Sequence, residues 1–209
     1  KKTPNAYLLT GIRGVGKTTT ARLIAKALNC IKNIDETKKC NSESFCESCK
    51  DIVESNHIDI LEMDAASKTG IDDIRELIEN SKYSPSSAQY KIFIIDEVHM
   101  LSKQAFNGLL KTLEEPPPRL KFILATTEVR KIPVTILSRC QRFDLKRVNL
   151  QVLLAHLKKI SDKEEGKISE NALKLVARAS EGSVRDAISL LDRALITQNL
   201  NKNKIIEDV

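Results

Sequence analysis

Tryptophan is missing from this sequence, and tyrosine and phenylalanine bring the aromatic fraction to only 4%. A surface that binds single strands by stacking successive bases is therefore not expected. No apolar run reaches the roughly 18 residues that a membrane-spanning helix needs, so no membrane partner is expected either. The opening stretch, KKTPNAYLLTG, lacks the long apolar core of a secretory signal and passes directly into a strand-like run. It also lacks an initiator methionine, so the chain is expected to be a fragment. There is no internal repeat and no low-complexity segment. An acidic excess is absent too: the formal net charge is +6, which is compatible with a polyanionic partner without demanding one. What is present is 209 residues, 41% hydrophobic and 30% charged, enough for one sizeable core and a small second domain.

Hydrophobic periodicity orders the chain. Tyr7 to Thr10 reads as a buried strand entering a glycine-rich loop. KTTTARLIAKALN (17–29) has helical spacing through Ala21, Ile24, Ala25 and Leu28. HIDILEMDA (57–65) alternates like a strand. IDDIRELIENSK (71–82) places Ile71, Ile74, Leu77 and Ile78 on one helical face. KIFIID (91–96) reads as a buried central strand. Ser102 can cap a helix that Pro116–Pro118 terminates. LKFILATT (120–127) is another strand, Pro133 suits the start of a short helix ending near residues 138–140, and RFDL (142–145) can be a last strand. Strands alternating with helices predict an α/β fold with a parallel sheet and right-handed crossovers. Beyond residue 148 the strands stop. LQVLLAHLKKISDKEE, SENALKLVARASEG and SVRDAISLLDRALITQ read as three amphipathic helices, with Gly182 before the third and Ser183 as its cap.

GIRGVGKT (11–18) matches the phosphate-loop pattern in its required setting, after a strand and before a helix. Gly14 and Gly16 let the backbone turn its N–H groups inward, so Gly11, Gly14, Val15, Gly16 and Thr19 join Lys17 and Thr18 as nucleotide-binding candidates. Lys17 is placed to reach the β- and γ-phosphates, and the Thr18 hydroxyl to ligate Mg²⁺. IIDE (94–97) supplies acids at a strand end: Asp96 for Mg²⁺, and Glu97 to orient or deprotonate a water. Thr127, at the end of another strand, can bond the γ-phosphate or that water, or simply its own backbone. Arg139 and Arg185 can each neutralise charge on the γ-phosphate, although surface salt bridges suit both equally on pattern alone.

Several segments together resemble one family: GIRGVGKTTTARL, DAASKTGIDDIRELI, IIDEVHMLSKQAFNGLLKTLEEPP, FILATTE, ILSRC and EGSVRDAISLLD. Nearly end to end and in order, they look like the gamma/tau motor subunits of the bacterial DNA polymerase III clamp loader, which are AAA+ ATPases. The resemblance implies a five-stranded P-loop core over 1–148, a zinc-binding insertion at about 30–50, and a helical lid over 149–209. It implies Lys17 and Thr18 as the Walker A pair and Asp96 and Glu97 as the Walker B pair. Thr127 would be sensor 1, Arg185 sensor 2 acting in cis, and Arg139 an arginine finger acting on a neighbour's ATP. It also implies delta and delta-prime partners, further gamma/tau copies, a sliding clamp and primer–template DNA held through phosphates. The DNA contacts are expected at the helix starts near Thr69 and Ser102, with Lys68 and Lys103 beside them. Such a chain belongs to a nucleotidyltransferase holoenzyme in the cytoplasm. This piece alone, without the family's collar domain, is expected to be a weakly active monomer.

Four of the five cysteines fall in one segment, as C-x9-C-x5-C-x2-C: Cys30, Cys40, Cys46 and Cys49. Disulfides, buried thiols and a metal site are all open from pattern alone. In the reducing cytoplasm that the resemblance implies, stable disulfides are rare and four clustered cysteines read as a closed, structural zinc site. The family carries a four-cysteine zinc module there with a shorter middle spacing. Cys140 stands apart and reads as a small buried hydrophobe.

Three functions compete: an ATPase that opens and places a clamp, a nucleotide-holding or zinc-bearing scaffold without turnover, and a small P-loop kinase. Lys17, Thr18, Asp96 and Glu97 together favour the first over the scaffold. A kinase needs an acceptor pocket, and lid helices with Arg185 fit AAA+ better.

Overall fold

The computed structural model describes residues 3–31, 40, 45–67, 71–164, 166 and 168–207. Two compact units emerge: Lys1–Thr10 with Lys17–Asp144, and Gly11–Gly16 with Leu145–Val209.

The first unit is built on five parallel strands, β1 (Ala6–Thr10), β2 (Ile60–Asp64), β3 (Lys91–Asp96), β4 (Leu120–Thr126) and β5 (Gln141–Asp144), in the order β2-β3-β4-β1-β5. The three central strands are buried almost throughout, which is why they read as unbroken apolar runs. The edge strand β5 is exposed along its length. Helices α1 (Lys17–Asn29), α3 (Ile71–Ser81) and α4 (Lys103–Glu114) flank the sheet, with the short α2 (Glu47–Val53) and α5 (Val134–Leu137). Phe93 and Phe122 lie 5.7 Å apart by ring centroids, in a core with Leu8, Ile74, Ile95, Leu109 and Leu124, all fully buried. Each such side chain contributes about 1.5–3 kcal/mol on burial. Ser102 caps α4 as expected, its Oγ accepting from Ala105 N at 3.2 Å. The register pairs Thr10 with Thr126 and Asp64 with Asp96, so the carboxyl ends of neighbouring strands finish side by side. Ligands of open parallel sheets bind at that edge.

Two local differences from the sequence reading have physical causes. The strand expected over 57–65 forms only over Ile60–Asp64. Before it the alternation inverts: His57 and Asp59 are buried while Ile58 is 70% exposed. Asp59 accepts from the backbone N–H groups of Ser86, Ser87 and Ala88 at 2.8–2.9 Å and from the Ser87 hydroxyl at 3.1 Å. His57 links that point to the cysteine segment, its Nδ1 accepting from Asp59 N and its Nε2 lying 3.2 Å from Ser48 Oγ. The second difference is α2 itself, a helix within the cysteine segment that periodicity did not show.

The second unit contains α6 (Leu150–Lys163), α7 (Glu170–Ala179) and α8 (Val184–Glu207). Asn149, Ser169 and Ser183 cap them through their side-chain oxygens. Leu153, Leu157, Leu173, Ala177, Ala187 and Leu191 form its core. The third helix runs on to Glu207, past the expected end near Gln198. Among the described residues, no helix is long and apolar enough to cross a membrane.

Candidate active site

Lys17 opens α1, and its side chain is buried, 5% exposed. It lies 4.0 Å from Glu97 Oε1. Burial pushes its pKa below the ordinary lysine value, against the pull of Glu97 and Asp96. The next residue, Thr18, donates its hydroxyl to Asp96 Oδ2 at 2.5 Å. Asp96 ends β3, and its other oxygen accepts from Glu97 N at 2.9 Å. The first helical turn and the end of the central strand thus meet through a lysine, a hydroxyl and two carboxylates. Thr18 and Asp96 offer the hard oxygen donors that Mg²⁺ takes.

Glu97 sits in the left-handed region, φ 45° and ψ 43°, without being glycine. Such a backbone costs of order 1–3 kcal/mol and is held by its surroundings. The chain then makes a single 3₁₀ turn over Val98–Met100, with Met100 N bonding back to Glu97 O at 2.9 Å. Thr127, one residue beyond β4, donates both its N–H (3.1 Å) and its hydroxyl (3.0 Å) to Glu97 Oε2. His99 Nδ1 is 3.3 Å from the same oxygen. One carboxylate oxygen thus accepts both Thr127 bonds and lies beside the His99 ring, while the other looks toward Lys17.

The remaining site candidates are placed as follows. Thr19 is the third residue of α1. Gly11, Gly14, Val15 and Gly16 form the loop before it, which groups with the helical unit. Gly14 has φ +74°, and its carbonyl accepts from Val184 N at 2.9 Å. A Cβ there would lie 2.2 Å from Ser183 Oγ, so only glycine fits. Arg185 is in the first turn of α8, its N–H 3.4 Å from the same carbonyl. The Arg139 guanidinium is held by Glu114 Oε1 at 2.6 Å and the Thr135 carbonyl at 2.7 Å. Sequence reading missed His99, whose only signal was its place two residues after Glu97. It also missed a bidentate pair, in which Arg22 on α1 grips Glu62 on β2 with two bonds of 2.8 Å. Lys103 opens α4, whereas Lys68 and Thr69 lie outside the described residues.

The Sγ atoms of Cys30, Cys40, Cys46 and Cys49 all lie within 4.8 Å of one another, and none is in a disulfide. Four thiolates around one zinc ion at about 2.3 Å would sit about 3.8 Å apart, so the cluster fits a tetrahedral metal site. Cys46 N donates to Cys40 Sγ at 3.3 Å. Burial opposes ionisation of Cys46, but hydrogen bonds from Cys49, Ile31 and Cys40 outweigh it and bring its thiol down to about 7. Burial and the neighbouring sulfurs push Cys49 the other way. Cys140 packs against the core, and burial raises its thiol to about 11, as a small inert hydrophobe requires.

Comparison with known proteins gives a consistent picture. A family model described as DNA polymerase III, delta subunit, matches residues 1–149. A second, described as DNA polymerase III clamp loader subunit, ATPase lid domain, matches residues 153–199. The chain is 50% identical over 195 residues to DNA polymerase III subunit tau of Bacillus subtilis, covering 93% of this chain and 34% of that protein. It is 52% identical over 192 residues to subunit gamma/tau of Mycoplasma genitalium, covering 92% and 32%. Subunit gamma of Buchnera aphidicola (Baizongia pistaciae) is 47% identical over 205 residues, covering 98% and 54%. The chain thus spans about a third to a half of the length of the curated relatives it matches. In fold it resembles the Holliday junction branch migration motor RuvB of Thermotoga maritima, with a TM-score of 0.65 and 20% identity over 95% of this chain and 56% of that one.

Proposed function

The chain belongs to the DNA polymerase III clamp-loader subunits, and from that premise we propose that it is the ATP-hydrolysing motor of such a loader. Residues 1–148 serve as the nucleotide-binding AAA+ core and 149–209 as the lid. The observation that carries this reading is the convergence of Lys17, Thr18, Asp96 and Glu97 at the carboxyl end of β3, with one Glu97 oxygen anchored and the other facing the lysine. A scaffold that only holds nucleotide has no need of an anchored carboxylate there.

Lys17 meets the β- and γ-phosphates, and the N–H groups of Gly11, Gly14, Val15, Gly16 and Thr19 line the phosphate path. Thr18 and Asp96 would hold Mg²⁺, which neutralises charge on the phosphate oxygens. Glu97 takes a proton from the attacking water through Oε1, since Oε2 is already engaged by Thr127 and His99. Thr127 touches Glu97 and is placed to respond to the γ-phosphate as well. Arg185 meets ATP bound in its own chain and Arg139 ATP bound in a neighbour, released for that task from Glu114. Cys30, Cys40, Cys46 and Cys49 form a closed zinc site of structural purpose, having no open coordination position.

By the same reading the chain works in the cytoplasm with delta and delta-prime subunits and further gamma/tau copies. ATP binding closes this ring around the sliding clamp and primer–template DNA, and hydrolysis releases the loaded clamp. DNA is held through its phosphates, with Lys103 at the start of α4 among the donors. The polymerase's nucleotidyl transfer is the work of the holoenzyme the chain serves. Two substitutions test the core of this in the full-length chain assembled with its loader partners. Lys17→Ala should abolish ATP binding. Glu97→Gln should keep ATP affinity and lower turnover by roughly 10²- to 10⁴-fold. Equal loss of affinity in both variants removes Glu97 from the role of base.

A further inference from the structure

The imidazole of His99 is buried, 6% exposed, and wedged between two carboxylates. Its Nδ1 lies 3.0 Å from Thr126 Oγ1 and 3.3 Å from Glu97 Oε2, and its Nε2 lies 3.5 Å from Glu128 Oε1. An ionised carboxylate can only accept, so the approach to Glu97 is attractive only when Nδ1 carries hydrogen. The Thr126 hydroxyl oxygen already accepts from Glu128 N at 3.0 Å and has a second lone pair to offer. A hydrogen on Nδ1 can then serve Thr126 and Glu97 together. The arrangement follows from the backbone: the left-handed Glu97 and the 3₁₀ turn after it fold the chain back, so a side chain two residues on returns to the Glu97 carboxylate.

We infer that His99 is a positioning residue for ATP hydrolysis, the third donor on Glu97 Oε2 beside the N–H and hydroxyl of Thr127. Thr127 alone supplies two donors from one residue, about which a carboxylate can still swing. A third donor from a different element, the turn after β3, removes that swing and fixes where Oε1 points. The Nε2 contact with Glu128 is longer and serves to hold the ring. This role rests on the reading of Glu97 as the base that takes the proton of water. Misplacing a reacting group by about 1 Å can cost about 10²-fold in rate, so loss of the third donor is a kinetic defect rather than a binding defect.

Two substitutions separate the two ring nitrogens. Asparagine puts an amide N–H₂ where Nδ1 stands, and glutamine puts one where Nε2 stands. The measurement is kcat for ATP and the ATP dissociation constant in the full-length chain assembled with its loader partners, with Glu97→Gln measured alongside. His99→Gln should lower kcat roughly 10- to 100-fold at unchanged ATP affinity, and His99→Asn should recover most of that loss. Wild-type kcat in His99→Gln overturns the inference. So does a His99→Asn variant as slow as His99→Gln, which denies the Nδ1 donor its role. A fall in ATP affinity that matches the fall in kcat in both variants also overturns it, since it makes the residue a structural one. If Glu97→Gln turns over like wild type, the assignment of the base fails instead, an outcome seen in a variant that leaves His99 intact.

Discussion

Asp59 offers a quantitative test of how the first unit is held together. Burial alone pushes its carboxyl up, but the N–H groups of Ser86, Ser87 and Ala88 and the Ser87 hydroxyl outweigh it and hold the group below the ordinary aspartate value. Asp59→Ala removes four hydrogen bonds to a charged acceptor, each worth about 1.5–3 kcal/mol at full strength. The full sum is not lost, because Ser86 and Ser87 are exposed and their N–H groups regain water. At about 1 kcal/mol retained per bond, the expected destabilisation is about 4 kcal/mol. That is a large part of the roughly 5–15 kcal/mol that stabilises a typical domain. Asp59→Asn is the sharper variant: it preserves shape, but its amide N–H₂ must face backbone donors, so it should cost nearly as much. Urea unfolding at neutral pH measures both. The pH dependence has a definite sign. The folded carboxyl is depressed, so the wild-type advantage over Asp59→Ala is full above the unfolded value near about 4 and is lost as pH falls through the folded value. An Asn variant within about 0.5 kcal/mol of wild type, the range of ordinary surface changes, refutes this account of the loop.

Other expectations are more directly functional. Protein purified without chelator should carry one zinc per chain by elemental analysis, and Cys49→Ala should lose it and unfold the 30–49 segment; a metal-free protein with four titratable thiols would sink the zinc reading. Placed beside a wild-type chain in an assembled loader, Arg139→Ala should silence its neighbour's ATP site by about 10³- to 10⁵-fold and spare its own, so a defect confined to its own site assigns the arginine in cis. Lys68→Ala with Lys103→Ala should weaken DNA binding similarly for all sequences and flatten its salt dependence, and an unchanged salt slope takes both off the DNA path. Alkylation of Cys140 in the folded chain should be slow at pH 8, because its thiol titrates near 11, and rapid labelling would contradict its packing.

The central sheet was legible because a parallel strand buried on both faces has little choice of composition: Leu8 and Leu9, Ile92 to Ile95 and Phe122 to Ala125 are apolar without interruption. The meeting of Lys17 and Thr18 with Glu97 and Asp96 was legible because the sequence pattern ties residue type to spacing. Asp59 was not, since a buried charge inside an alternating run is indistinguishable from an outward-facing one until its donors, nearly thirty residues on, are in place. Helix α2 was hidden for a related reason. ESCKDIV is short, and its N-cap Cys46 makes no side-chain capping bond. Isolated helices of that length are marginal, so this one depends on the packing around Cys49 and Ile52. The left-handed Glu97 gave no glycine or asparagine to announce it, and the turn that follows it brings His99 back to its carboxylate.

The carbonyl of Gly14 carries a consequence for how the protein is made. Its partner, Val184 N, lies about 170 positions further along the chain. At about 5–20 residues per second, a ribosome takes roughly 10–30 s to cross that interval. Through all of it the five strands can emerge and pair, because the last of them ends at Asp144, while the loop beside the first strand waits for its partner. A nascent chain halted before Val184 therefore carries all five strands and a glycine loop without its closing hydrogen bond. The glycine loop is thus closed late in synthesis, although it is among the first residues made.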